Sequence, residues 1–250
     1  MDAVLPLLTS PEAWLSLLTL SVLEIVLGID NVIFLSIVSS RLPEPQQPRA
    51  RRIGLMLALV MRILLLLAIT WVIGLTQPIL TAFGFELSWR DLILLGGGLF
   101  LLYKGTGEIH AMMEGHEEGG EAGTASFAAV IAQIAVLDLV FSLDSIITAV
   151  GLTEHVPIMI AAVTISILVM LLAAEPVSAF VNAHPTVKML ALSFLLLVGV
   201  ALIADGMHFH IPRGYLYFAI AFSIAVESLN LLAARSRKRR REAAKVGTGH

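Results

Sequence analysis

WLSLLTLSVLEIVLGIDNVIFLSIV, residues 14–38, is long and apolar enough to cross a hydrocarbon layer as a helix, yet Glu24, Asp30 and Asn31 stand in its interior. A helical span takes roughly 20 mainly apolar residues. An ionised carboxylate at that depth costs several kcal/mol unless something neutralises it. The pattern Glu24-Ile-Val-Leu-Gly28-Ile-Asp30-Asn31 returns further along as Asp138-Leu-Val-Phe-Ser142-Leu-Asp144-Ser145. Four carboxylates at matching places in two apolar stretches point to function rather than accident.

Six more stretches qualify or nearly do: Ile53–Leu75, Leu92–Ile109, Phe127–Val150, Val156–Val181, Val187–Ala204 and Tyr215–Ala234. The third span is the weakest, because Gly96-Gly97-Gly98 interrupts its apolar run. Of the 250 residues 58% are hydrophobic and 14% charged, with a mean hydropathy of +0.91, a balance that excludes an ordinary soluble domain. The first stretch reads as a span and not a cleavable leader, since it is too long for one and contains acids. The net charge of −3 hides an asymmetry. With the amino terminus outside, Arg41, Arg49, Arg51, Arg52, Lys104, Lys188 and the run from Arg235 to Lys245 fall on the cytoplasmic side, against Arg90 and Arg213 outside. A basic tail directly after a span fixes orientation and touches anionic lipid rather than nucleic acid. There is no cysteine, which removes disulfides and thiolate ligands together.

An offset of 114 residues superimposes Glu24 on Asp138, Asp30 on Asp144 and Asn31 on Ser145; an offset of 101 superimposes Gly98 on Gly199 and Gly105 on Gly206. With three spans per unit, the second copy enters from the opposite face, so the expected plan is two inverted repeats. The repeats run over residues 12–110 and 126–212, a seventh span follows at 215–234, and residues 235–250 form a basic cytoplasmic tail. In that plan Glu24 and Asp138 lie near mid-membrane, Asp144 toward the outer face and Asp30 toward the cytoplasm. Gly28 is positioned to loosen its helix and offer carbonyl oxygens. Glu227 and Asn230, three apart on the seventh span, are helix neighbours.

Each acid also has a bland reading, as one half of a structural ion pair or a protonated group that ties helices together. That reading suits Arg62 with Glu175, opposite charges expected at similar depth on spans two and five. Glu24, Asp30, Asp138 and Asp144 have no comparable supply of buried cations on this reading, so the set calls for a cation from outside. Protons would serve, but carboxylate, amide, hydroxyl and carbonyl oxygens suit a hard divalent ion better: Mn²⁺, Ca²⁺ or Mg²⁺. Asp205, His208 and His210 are candidates at an outer mouth, with ordinary loop packing as the alternative. The charged loop Glu108–Glu121, which contains His110, Glu114 and His116, is read as a solvated connector in preference to a metal collector. No nucleophile–base pairing or phosphate-cradling loop marks an enzyme.

At these motifs, and at Ala204-Asp205-Gly206-Met-His208-Phe-His210-Ile-Pro212-Arg213-Gly214-Tyr215 and Glu227-Ser-Leu-Asn230, the chain resembles the TerC family of integral membrane proteins in its short form without cytosolic domains. The resemblance covers roughly residues 12 to 234. That family is similar to the wider LysE-type group of cation and amino-acid exporters and is linked to manganese efflux and, by name, to tellurite resistance. The resemblance therefore makes Mn²⁺ the first choice of substrate, a preference that ligand chemistry alone does not supply.

The expectation is an all-α membrane protein of seven transmembrane helices in the bacterial cytoplasmic membrane, exporting a divalent cation, with no tightly bound cofactor. Glu24, Asp30, Asp138 and Asp144 are the expected acidic ligands and Asn31 and Ser145 the neutral oxygens, with Glu227 and Asn230 beside them. The expected partners are the metal ion and membrane lipid, and not nucleic acid. A second copy of the chain or the protein-export machinery stays open. The competing reading is a non-transporting partner that binds a cation while assisting insertion or metalation of exported proteins.

Overall fold

The computed structural model describes residues 10–82, 85–114, 126–153, 155–212, 214–216, 218–227, 229–230 and 233, with the side chains of Asp30 and Asp144 among the few excluded within that range. The chain divides into two compact units, Met1–Phe209 and His210–His250. The first is built from helices α1 (Pro11–Ser39), α2 (Gln47–Leu67), α3 (Ile69–Gly74), α4 (Trp89–Met113), α5 (Phe127–Leu152), α6 (Val156–Ala183) and α7 (Pro185–Gly206). A short 3₁₀ turn, Glu44–Gln46, precedes α2, and an antiparallel hairpin of β1 (Pro78–Ala82) and β2 (Phe85–Ser88) precedes α4. In the second unit the described residues of 214–227 are helical.

The helix starts follow local chemistry. Ser10 caps α1, its hydroxyl accepting from the Ala13 amide at 3.0 Å, with Pro11 and Glu12 in the first turn. At α4 the Ser88 hydroxyl accepts from the Asp91 amide at 3.2 Å while the Asp91 carboxylate accepts from the Ser88 amide at 2.9 Å, a reciprocal cap that satisfies two otherwise orphaned donors. Prolines in the first turns of α2, α6 and α7 mark those starts, where a missing N–H costs nothing.

Among the described residues four helices, α1, α4, α6 and α7, are long and apolar enough to cross a membrane. Shorter apolar stretches, Phe127–Leu143 in α5 and Gly214–Glu227, add to them. The second expected span departs most from expectation. Instead of one helix over 53–75, α2 starts earlier, at Gln47, and carries Arg49, Arg51, Arg52 and Arg62, while Ala68 leaves helical geometry (φ −91°, ψ 23°) and separates α2 from α3. The purely helical expectation also missed the hairpin. Its signal is in the sequence: β-branched and aromatic residues at Ile79, Thr81 and Phe85 flank Gly84.

α1 packs along α6, α4 along α7, and α2 against both α5 and α6. Leu20, Leu66, Leu94, Leu137, Ile167 and Leu192 are fully enclosed. Leu18, Trp71, Leu168, Leu172 and Phe180 face outward, and so many outward apolar side chains suit lipid rather than water. The α4–α7 seam depends on glycine. A Cβ on Gly98 would come within 2.6 Å of the Gly199 carbonyl oxygen, and one on Gly199 within 3.1 Å of the Gly98 carbonyl oxygen. Toward one end Gly105 receives Leu196, and toward the other Gly206 receives Leu95. As the numbers fall along α4 they rise along α7, so the two helices are antiparallel.

Candidate cation site

Glu24 of α1 and Asp138 of α5, the two acids matched by the 114-residue offset, meet at one guanidinium. Arg62 of α2 donates from Nη1 to Glu24 Oε2 at 2.6 Å and from Nη2 to Asp138 Oδ1 at 3.1 Å. All three side chains are buried: 3% of Arg62, 3% of Glu24 and 9% of Asp138 is exposed. One turn beyond Asp138, the Ser142 hydroxyl donates to Asp138 Oδ2 at 3.1 Å, the i,i+4 reach of a helix. Ser145 is also buried and donates to the Ser142 carbonyl at 3.3 Å. Asn31 lines, with Asp138, a small cavity closed by Phe34, Leu35, Gly54, Ala58 and Phe141. The cavity borders the Asp138 end of the cluster and is walled by residues of α1, α2 and α5.

This arrangement corrects two expectations. Arg62 does not pair with Glu175. Glu175 is held by Arg51, whose Nη2 donates to Oε1 at 3.2 Å, and Arg51 also donates to the Ser39 hydroxyl at 3.5 Å. Arg51 and Arg62 are eleven residues apart on one helix, about 16 Å along its axis, so a carboxylate at the level of one cannot reach the other. The acids are likewise not without a buried cation: Arg62 supplies one positive charge to Glu24 and Asp138. A third correction concerns Gly28. Helix α1 runs unbroken through it, and the glycine makes room for the Met170 side chain of α6 in place of its own Cβ.

The integral membrane protein TerC family matches residues 9–242 of this sequence. The chain belongs to the TerC family. Among curated relatives, the inner membrane protein YgdQ of Escherichia coli (strain K12) is 58% identical over 225 residues, covering 90% of this chain and 95% of that protein. A UPF0053 protein of Haemophilus influenzae is 52% identical over 233 residues, covering 92% and 98%. The inner membrane protein YoaE of Escherichia coli (strain K12) is 54% identical, with the match covering 92% of this chain but 45% of that longer protein. No solved structure matches.

The other site residues read from the sequence fall elsewhere in this TerC-family chain. Asp30 and Asp144 belong to α1 and α5, but their side chains lie outside the described residues, so the structure brings together two of the four acids and leaves those two unplaced. Glu227 and Asn230 do form a pair, Nδ2 donating to Oε2 at 3.4 Å, in the second unit. Asp205 closes α7. His208 follows in left-handed geometry (φ 63°), and its Nε2 lies 3.1 Å from Asp91 Oδ2, beside the Ser88 hydroxyl, which donates to that same oxygen at 2.7 Å. His210 begins the second unit. In the charged loop, His110 Nε2 lies 3.1 Å from Glu114 Oε1 on the last turn of α4, and residues 115–125 lie outside the described residues, as does the basic tail 235–250. Among the described residues no three His, Asp or Glu side chains form a ready-made metal cluster. Sequence reasoning missed Arg62 and Ser142 as partners of the acids, and Asp91 with Ser88 as partners of His208. Ser142 was within reach of the i,i+4 rule; the others depend on contacts between helices.

Proposed function

We propose that this TerC-family protein is a transporter of the bacterial inner membrane that exports a divalent cation, Mn²⁺ before others, through a path that includes the intramembrane carboxylates, and that it catalyses no covalent chemistry. The observation that carries the reading is the convergence of Glu24 and Asp138. These residues are matched by the 114-residue offset, far apart in the chain, and drawn to one buried point with the Ser142 hydroxyl and beside a cavity that Asn31 lines. Two buried carboxylates against one guanidinium leave a surplus negative charge, the electrostatic requirement for attracting a cation.

An inverted-repeat architecture draws support from the α4–α7 seam. Shifting each partner by 101 residues turns the contact of Gly105 with Leu196 into that of Gly206 with Leu95, and the Gly98–Gly199 contact into itself. Such reciprocity belongs to a two-fold relation. Because the helices are antiparallel, an axis exchanging them lies across their length, in the plane of a membrane they both span. The basic residues favour an external amino terminus and a cytoplasmic tail.

The bridging of both acids by Arg62 is the observation that favours the second reading, a non-transporting partner of exported proteins with a structural ion cluster. Uptake of Mn²⁺ by inverted vesicles that contain only the purified protein separates the two. The transporter moves metal alone, and the partner protein does not.

A further inference from the structure

With both carboxyl groups ionised, Glu24, Asp138 and Arg62 bring two negative charges and one positive together in a buried setting, so the guanidinium can neutralise only part of the pair it bridges. A divalent cation would neutralise all of it. The same carboxylate oxygens cannot serve both at full strength, because each contact draws on the same lone pairs and the same field. Arg62 is also incompletely held: its Nε has no hydrogen-bond partner among the described residues, although the side chain is buried.

The two arms of the bridge differ. The contact to Glu24 is short, 2.6 Å, and Glu24 does not line the cavity. The contact to Asp138 is 3.1 Å, Asp138 is the more exposed acid, and it borders a cavity that Asn31 also lines, a residue whose amide oxygen is of the kind that hard cations accept. Of the two acids, Asp138 is the one that borders the cavity.

We propose that Arg62 is a tethered competitor for the transported ion: guanidinium and divalent cation are alternative occupants of the Glu24–Asp138 pair, and the cation enters by taking Asp138 from Arg62 while Glu24 keeps its hold. This rests on the transport reading above. It makes Arg62 a positioning residue that closes the site in the absence of cargo and is pulled aside by it.

The full chain in lipid nanodiscs, melted with increasing MnCl₂ at constant ionic strength set by NaCl, tests the proposal without requiring transport. Arg62→Gln removes the competitor and should melt lower than wild type without divalent ion. Mn²⁺ should then raise its melting temperature at concentrations at least about tenfold lower than wild type needs, since a competing occupant weakens apparent affinity by the fraction of sites it holds. Adding Asp138→Asn to that variant should abolish the response. If Arg62→Gln does not fold, Arg62→Lys serves: an ammonium cannot bridge two carboxylates as a planar guanidinium does, so its Mn²⁺ midpoint should fall below wild type. An unchanged or weaker Mn²⁺ response in the Arg62 variant that folds, or a response that survives Asp138→Asn, overturns the proposal. Failure of wild type to move Mn²⁺ in vesicles, beside an intact tenfold shift in melting, would instead refute the transport reading and leave the competition standing.

Discussion

Arg51 and Arg62 project from nearly the same stripe of α2, three turns apart, and each engages acids on other helices, yet the two sites differ in kind. Arg62 is enclosed with both of its carboxylates, whereas Glu175, the partner of Arg51, has a side chain 63% exposed. Where solvent or headgroups reach one partner, the charges are screened and the pair contributes little. Where neither is reached, each charge depends on the others, and breaking the set strands a charge with nothing to replace its partner. The same amino acids thus make a modest peripheral tie at one level and a high-stakes cluster at the other.

The sharpest way to break that comparison is at Arg62. Arg62→Met should destabilise the protein by about 3–5 kcal/mol, because two carboxylates are left buried without their cation. Combining it with Glu24→Gln and Asp138→Asn should recover a large part of the loss, read by denaturant or thermal unfolding in detergent. A loss no larger than that at Arg51 would remove the distinction between the two sites.

A second expected effect lies on the α4–α7 seam. Gly98→Val places a branched side chain where even a Cβ meets the Gly199 carbonyl, and overpacking there should cost about 1–3 kcal/mol. Gly96→Ala, two residues away with open space around it, should have almost none of that effect on the same unfolding curve. Equal effects would mean that the helices are not packed glycine to glycine.

The smallest effect belongs to the periphery. Glu175→Ala should shift stability by no more than about 1 kcal/mol, because that side chain is largely exposed. A double-mutant cycle should find Arg51 coupled to Glu175, and Arg62 additive with Glu175. Coupling between Arg62 and Glu175 would restore the pairing that burial on spans two and five first suggests.

Much of this was open to reading along the chain, and what was not has a common cause. Apolar length marks α1, α4, α6 and α7, and the 114-residue offset singles out Glu24 and Asp138 before any contact is known. The 101-residue offset likewise picks out Gly98 and Gly199, which meet across the seam. Which cation faces which acid is a different kind of question. It depends on how far one helix has slid past another, and a shift of eleven residues on α2 exchanges Arg62 for Arg51 without altering the helical stripe. Composition carries no measure of that slide. The end of α2 at Ala68 escaped because an apolar run over 53–75 shows no break while the backbone makes one.

Manganese flux tests the central claim, that the paired intramembrane acids carry the cation. Inverted vesicles containing equal amounts of folded wild type, Asp138→Asn and Glu24→Gln would be given radioactive Mn²⁺ and followed for uptake. Asn and Gln keep size and one carbonyl oxygen but delete the charge, so wild type should accumulate the ion and both variants should fall to the level of empty vesicles. Wild-type uptake by a well-folded Glu24→Gln, Asp138→Asn double variant would contradict the account and leave the cluster around Arg62 as a structural feature of a protein with another task.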